Sequence, residues 1–201
     1  MASLIEDLQR DALNWDIPVT QLLQKSLVVA TKLNVKELAD WVKLELDGYP
    51  TADTLPNYRH LSGMPQVWNP YHGYQGINFA QAEVQEMVST MHFGHPLSQI
   101  EHDLQQSEKS GDSGLHYGYP PQQEILLRGM IRGPKLQPSI YLNASQLKAI
   151  LEAVRRRVLQ WALDLESAGI RGNGVSFTVE EKEKAQSTYN VTRYESFLPN
   201  K

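Results

Sequence analysis

Residues 143–167, NASQLKAILEAVRRRVLQWALDLES, carry the reading of the fold. Leu147, Leu151, Val154, Val158, Trp161 and Leu165 recur at steps of three and four, the spacing that lines up side chains on one face of an α-helix. Ile150, Leu159 and Leu163 widen the stripe, so the helix wants cover over much of its circumference. The pattern predicts a long core helix. Asn143 is placed to cap it, with Gln146 three residues on, and Gly169 suits the left-handed stop that glycine adopts at little cost. Beyond it, GIRGNGV (169–175) reads as a turn. Thr178 and Glu181 then open a last, highly charged helix as a reciprocal cap.

Upstream, the first fifty residues read as three helices. Ser3 and Glu6 form a capping box before Leu4, Ile5, Leu8 and Ala12. Asn14 to Pro18 breaks the pattern, and a second helix with Pro18 in its first turn runs to about Leu33, burying Leu22, Leu23, Leu27, Val29 and Ala30. Asn34 to Glu37 reads as another capping box, opening a third helix through Leu38, Trp41, Val42 and Leu46 that Gly48 and Pro50 stop. Each helix has one apolar face too short to be stable alone, which predicts antiparallel packing on the long helix.

From Thr51 to about Gln123 charge thins out while Gly, Pro, Tyr and His accumulate, and the segment reads as turn-rich and irregular. Within it, QVWNPYHGYQGINF (66–79) sets Trp68, Tyr71, Tyr74 and Phe79 among Pro70, Gly73 and Gly76. Residues 80–91 have helical spacing in Val84, Met87, Val88 and Met91, and Pro96 opens a short helix with Leu97, Ile100 and Leu104 inward. SEKSGDSG (107–114) reads as an exposed loop. EILLRGMI (124–131) and SIYL (139–142) read as two short strands, joined by RGPKLQP and paired as a small two-stranded sheet. The fold class expected is therefore mainly α with a small β component. It forms one domain over residues 1–188: a helical part (1–50), an irregular and β middle (51–142), and the long helix plus charged helix (143–188). Residues 189–201 form a tail in which YNVTRYESF extends as a strand able to pair with another chain.

Composition bounds the function. With 201 residues and 41% apolar content the chain can bury a core. It has no cysteine, which excludes disulfides and thiolate metal sites and favours a reducing cytoplasm. The acidic start MASLIEDLQRD is unlike a signal peptide, and no 18-residue apolar run exists, so neither secretion nor a membrane span is expected. The net charge of −4 is uneven: residues 1–50, 51–120 and 121–201 carry −3, −5 and +4. Such a chain more readily pairs its acidic and basic parts, internally or between subunits, than binds a polyanion.

The candidate sites are weighed against ordinary structural roles. Arg155, Arg156 and Arg157 form a basic cluster, but consecutive helical residues point about 100° apart and do not converge as one fork. Pairing with Glu152, Asp164, Glu166 or the acidic N-terminal helix is the leading reading, and phosphate or nucleic-acid contact the lesser one. Trp68, Tyr71 and Tyr74 make a candidate interaction surface, able to stack on bases or sugars, although such residues more often pin irregular chain to a core. Glu180 and Glu181 on the charged helix join that surface.

His92, His95, Glu101 and His102 resemble metal ligands, but their spacing crosses Gly94 and Pro96 with no second cluster to complete a tetrahedron. No metal or other cofactor is expected. Gly111-Asp112-Ser113-Gly114 copies a serine-protease core without His and Asp partners in strand contexts, and reads as chance. No nucleotide loop, hydrolase triad or Arg-to-His ribonuclease spacing emerges.

Three blocks carry a family resemblance: residues 3–50, the shorter LPNYRHLSG (55–63), and ILEAVRRRVLQWALDLESAGIRGNGVSFTVEEKEKA (150–185). In order and spacing they resemble the AbiTii domain of bacterial proteins linked to abortive-infection antiphage defence. The resemblance implies a helical domain on the toxin or effector side of such a system, and brings no catalytic residues with it. Family members look as though they continue past the last block, a departure that leaves open whether a separate effector module, supplied by another protein, is needed. Two functions follow as expectations. The first is a noncatalytic module that self-associates or binds another defence protein. The alternative is an enzymatic toxin acting on nucleic acid or nucleotides through the basic long helix.

Overall fold

The computed structural model describes residues 3–131, 136–174 and 176–191. In chain order they form α1 (Leu4–Leu13), α2 (Val19–Leu33), α3 (Lys36–Asp47), β1 (His60–Ser62), β2 (Met64–Asn69), β3 (Gly73–Gly76), α4 (Ala82–Ser89), β4 (Thr90–His92), α5 (Leu97–Ser110), β5 (Gly114–Gly118), α6 (Pro121–Met130), β6 (Pro138–Asn143), α7 (Ala144–Ser167) and α8 (Val179–Val191). The architecture is mainly α with a small antiparallel β component. Two compact units emerge: a helical one from the described residues of 1–58, 94–102 and 149–201, and a mixed one from those of 59–93 and 103–148.

In the helical unit the expected caps form. Ser3 Oγ accepts from the Glu6 amide (3.0 Å) while Glu6 accepts from the Ser3 amide (3.2 Å), and Leu4, Ile5, Leu8 and Ala12 turn inward. Pro18 offers α2 no side-chain cap, and Glu101 of α5 supplies one, accepting from the Val19 amide (2.5 Å), the Thr20 amide (3.2 Å) and the Thr20 hydroxyl (2.6 Å). A carboxylate there also meets the positive end of the helix dipole. Asn34 corrects one expectation: with φ 59° it closes α2 in the left-handed conformation, and α3 starts from Val35 with no side-chain cap. Asparagine tolerates that conformation better than other side chains, so the same residue type suits either helix end.

The long helix is α7, capped as expected. Asn143 Oδ1 accepts from the Ser145 amide (2.9 Å), Gln146 Oε1 accepts from the Asn143 amide (3.0 Å), and Gly169 closes the far end at φ 77°. Its buried line runs through Leu147, Ile150, Val154, Val158, Trp161 and Leu165. Ile150 thus takes the place expected of Leu151, and Leu163 stays 40% exposed. In α8, Thr178 Oγ1 accepts from the Glu181 amide (3.2 Å) and Glu181 from the Thr178 amide (2.9 Å). Ala185 is buried there, and Gln186 donates to the Asn34 carbonyl (3.3 Å). The strand expected from Tyr189 meets a helix as far as Val191, and its remainder lies outside the described residues.

The mixed unit departs most from the sequence reading. Its main sheet is four-stranded and antiparallel in the order β3-β2-β6-β5, and β1 pairs with β4 apart from it. The segment expected to be irregular at 66–79 holds the β2–β3 hairpin, with Trp68 opposite Tyr74 and Gly73 at φ 72° after a three-residue connection. The segment expected as a strand at 124–131 is helix α6. Pro121 starts it, and an Arg128–Glu124 bridge (2.6 Å) spans one turn. Leu127 is fully buried whereas Ile125 is 72% exposed. A short apolar run does not distinguish strand from helix, and here the N-terminal proline and the i,i+4 pair favour helix. The sheet partners of β6 are instead β2 and β5, at Gln66↔Ser139 and His116↔Tyr141. The loop expected at 107–114 is only residues 111–113, between α5 and β5. Gly114 is obligatory at its end: a Cβ there would lie 2.3 Å from the Leu142 carbonyl oxygen.

Candidate functional site

On α7 the three arginines part company. Arg155 is 6% exposed and donates to the carbonyls of Asp11 (3.2 Å), Ala12 (3.3 Å), Asn14 (2.8 Å) and Ile17, gathering the last turn of α1 and the loop after it. Its guanidinium also lies 5.4 Å from the centre of the Trp15 ring. A cation at a helix C-terminus complements both the carbonyls exposed there and the dipole. Arg157 lies over the Tyr58 ring at 4.1 Å, and Arg156 faces solvent. The helical spacing therefore holds, and the cluster divides among three environments.

Arg157 borders a buried polar group that the sequence reading did not single out. Glu45 is fully buried and accepts from Tyr49 Oη (2.6 Å) and from Tyr58 Oη, which in turn accepts from Trp41 Nε1 (3.2 Å). Burial, with the neighbouring Glu45 carboxylate, pushes the Tyr58 phenol far up, and burial draws the Arg157 guanidinium down. One signal was present in the sequence. Glu45 sits seven residues after Leu38 and four after Trp41, a carboxylate on the apolar stripe of α3. Such a residue is either paired or costly.

In the mixed unit the sheet has a buried face with Val67, Ile140 and Leu142, and an opposite face that bears the predicted aromatics. Trp68 (49% exposed) meets Tyr74 edge-on at 4.8 Å, and Tyr74 stacks flat on His116 at 3.4 Å. His116 Nε2 pairs with Gln66 Oε1 (2.8 Å), and its ring lies 5.1 Å from that of Tyr141. Tyr71, at the hairpin connection, is 88% exposed and stands apart from this stack. Beside the rings a cleft of about 500 Å³ opens over Gly118, Gln137, Pro138 and Ser139. His116 and Ser139 join Trp68 and Tyr74 through strand register alone, and periodicity could not have announced them.

The other candidates have local roles. Glu181 accepts from the Arg171 (3.0 Å) and Gly172 (2.8 Å) amides as well as from Thr178, whereas Glu180 is exposed. Glu101 caps α2, and His92 faces His60 across β1 and β4 at 4.8 Å. Among the described residues, no three His, Cys, Asp or Glu side chains gather as a metal site. Ser113 pairs with Tyr141 Oη at 2.8 Å in place of a histidine. Arg59, missed in the sequence, is fully buried and donates to the Phe93 carbonyl (3.0 Å). Among the described residues, no helix is long and apolar enough to cross a membrane.

Comparison with known proteins adds one finding. A family model described as AbiTii matches residues 3–190, nearly the whole chain and all three blocks that carry the resemblance. Neither the curated proteins nor the solved structures give a match. Since that match runs from the cap of α1 into the last turns of α8, the chain belongs to the AbiTii family, whose name marks it as a component of abortive-infection defence.

Proposed function

We propose that this AbiTii chain serves abortive infection as a noncatalytic module that associates with a second copy of itself or with another defence protein. The observation that carries this reading is an aliphatic patch on the mixed unit. Ile125 (72%), Leu126 (45%) and Met130 (40%) of α6 are exposed, and Gln123 of the same helix donates to the carbonyl of Met87, itself 41% exposed. Aliphatic side chains exposed together on one helix are a common feature of association surfaces. The engagement of Arg155 with carbonyls and of Arg157 with Tyr58 supports a structural role for two of the three cations on which the enzymatic reading relies.

Light scattering tests it. A mass above the monomer's 22.8 kDa is expected. Paired Ile125→Glu and Leu126→Glu substitutions, both at exposed positions, are expected to return the mass to the monomer value with little change in melting temperature. A strict monomer that also captures no partner overturns the proposal.

A further inference from the structure

The cleft beside the aromatic stack has a feature that the association reading does not use. Ser139 is 9% exposed, and its hydroxyl has no hydrogen-bond partner among the described residues. It lies in β6 between Gln66 of β2, whose side chain is taken by His116, and Gly118 of β5, where a Cβ would meet nothing within 4 Å. A buried hydroxyl without a partner is costly, and one at the edge of an open cleft marks the place where a ligand would complete it.

The surroundings narrow the class of ligand. None of the described residues lining the cleft is charged: Trp68, Tyr74 and His116 form an aromatic wall, and Gln137 supplies an amide near Ser139. Burial lowers the pKa of His116, which keeps its imidazole neutral at neutral pH. A volume of about 500 Å³ falls in the range of small-molecule sites. Flat rings beside one hydroxyl and one amide suit a planar heterocycle with a hydrogen-bonding edge. They suit a sugar less well, because its many hydroxyls need more partners than the cleft offers.

We propose that this cleft binds the base of a free nucleoside, with Trp68 as the stacking surface and Ser139 Oγ bonded to the base edge. The site is independent of the association surface on α6 and stands whether or not the chain oligomerises.

Calorimetric titration of the full chain with adenosine, guanosine, cytidine, uridine and methyl glucoside tests it. At least one nucleoside is expected to saturate the site, and methyl glucoside is not. Trp68→Ala is expected to weaken binding at least about tenfold, as loss of a stacking surface does. Ser139→Ala, which removes an unpartnered hydroxyl without upsetting the fold, is expected to weaken it about fivefold. Trp68→Phe keeps a ring and is expected to retain most of the affinity, which covers the case in which the alanine variant misfolds. Tyr71→Ala, outside the cleft, is expected to bind like the parent. No saturation by any of the four nucleosides, stronger binding of methyl glucoside, or full affinity in Ser139→Ala overturns the proposal. Thymidine and a thymidine hexamer are expected to bind alike, and a much tighter hexamer would replace the free nucleoside with a single strand.

Discussion

Two regions of this molecule bring together aromatic rings with polar groups, and they do so to opposite ends. Around Glu45 the rings of Trp41, Tyr49 and Tyr58 close over a carboxylate, and the donors point inward. Around His116 the rings of Trp68 and Tyr74 stand half open beside a hydroxyl that has no partner among the described residues. The residue types are alike. What separates a structural core from a candidate binding site here is whether the hydrogen bonds are complete before any ligand arrives.

The largest effect that could break this contrast is at Glu45. Replacing it with Ala strands one buried and one half-buried phenol and removes the anion beside Arg157, and is expected to cost about 3–5 kcal/mol in urea unfolding. Glu45→Gln keeps the shape and acceptor and is expected to cost less. A change within about 0.5 kcal/mol for Glu45→Ala would mean that the cluster is not the closed, completed network described.

Next comes the arginine series on α7. Arg155→Ala releases the carbonyls at the end of α1 and is expected to cost about 2–3 kcal/mol, whereas Arg156→Ala at the exposed position is expected to stay within about 0.5 kcal/mol. Equal losses would show that the cluster acts as a unit. Smaller still is the response of the open region. Ser139→Ala is expected to leave the melting temperature unchanged or raise it slightly, since it removes a buried hydroxyl that lacks a bond among the described residues.

The smallest effect concerns acid. His116 faces Tyr74, Tyr141 and Gln66, and burial holds its pKa below the ordinary value against the opposing pull of Asp112. The folded state therefore binds the proton less readily than the unfolded chain. The contribution is whole above the unfolded histidine pKa of about 6.5 and is lost as pH falls through that value toward the lower folded one. A slight drop in melting temperature between neutral and mildly acidic pH is expected, and His116→Gln is expected to flatten it. An unchanged slope in that variant would place the proton elsewhere.

How much was legible in the sequence depended on how local the determining interaction is. The capping pairs Ser3 with Glu6 and Thr178 with Glu181 are three residues apart, and both formed as read. At Asn34 the local signal was ambiguous, because asparagine serves a helix at either end. The β2–β3 hairpin was hidden by its own turn: Pro70 and Gly73 make a strand pair resemble loop when the partner strand is unknown. At 124–131 the apolar run matched a strand in density, and the burial of Leu127 with Ile125 outside adds to the N-terminal proline and the Arg128–Glu124 pair in marking a helix. Trp68 and Tyr74 read as a surface from the sequence, but their companions His116 and Ser139 lie more than forty residues away and arrive through strand register.

By itself the sequence determined the long helix α7, its two ends and the family to which the chain belongs, because helical periodicity, capping chemistry and ordered blocks are all written along the chain. Only the tertiary structure decided what the three arginines do and where an unfilled polar group lies. The carbonyls that receive Arg155 come from more than 130 residues upstream, and the sheet face that leaves Ser139 without a partner among the described residues is assembled from strands far apart in sequence.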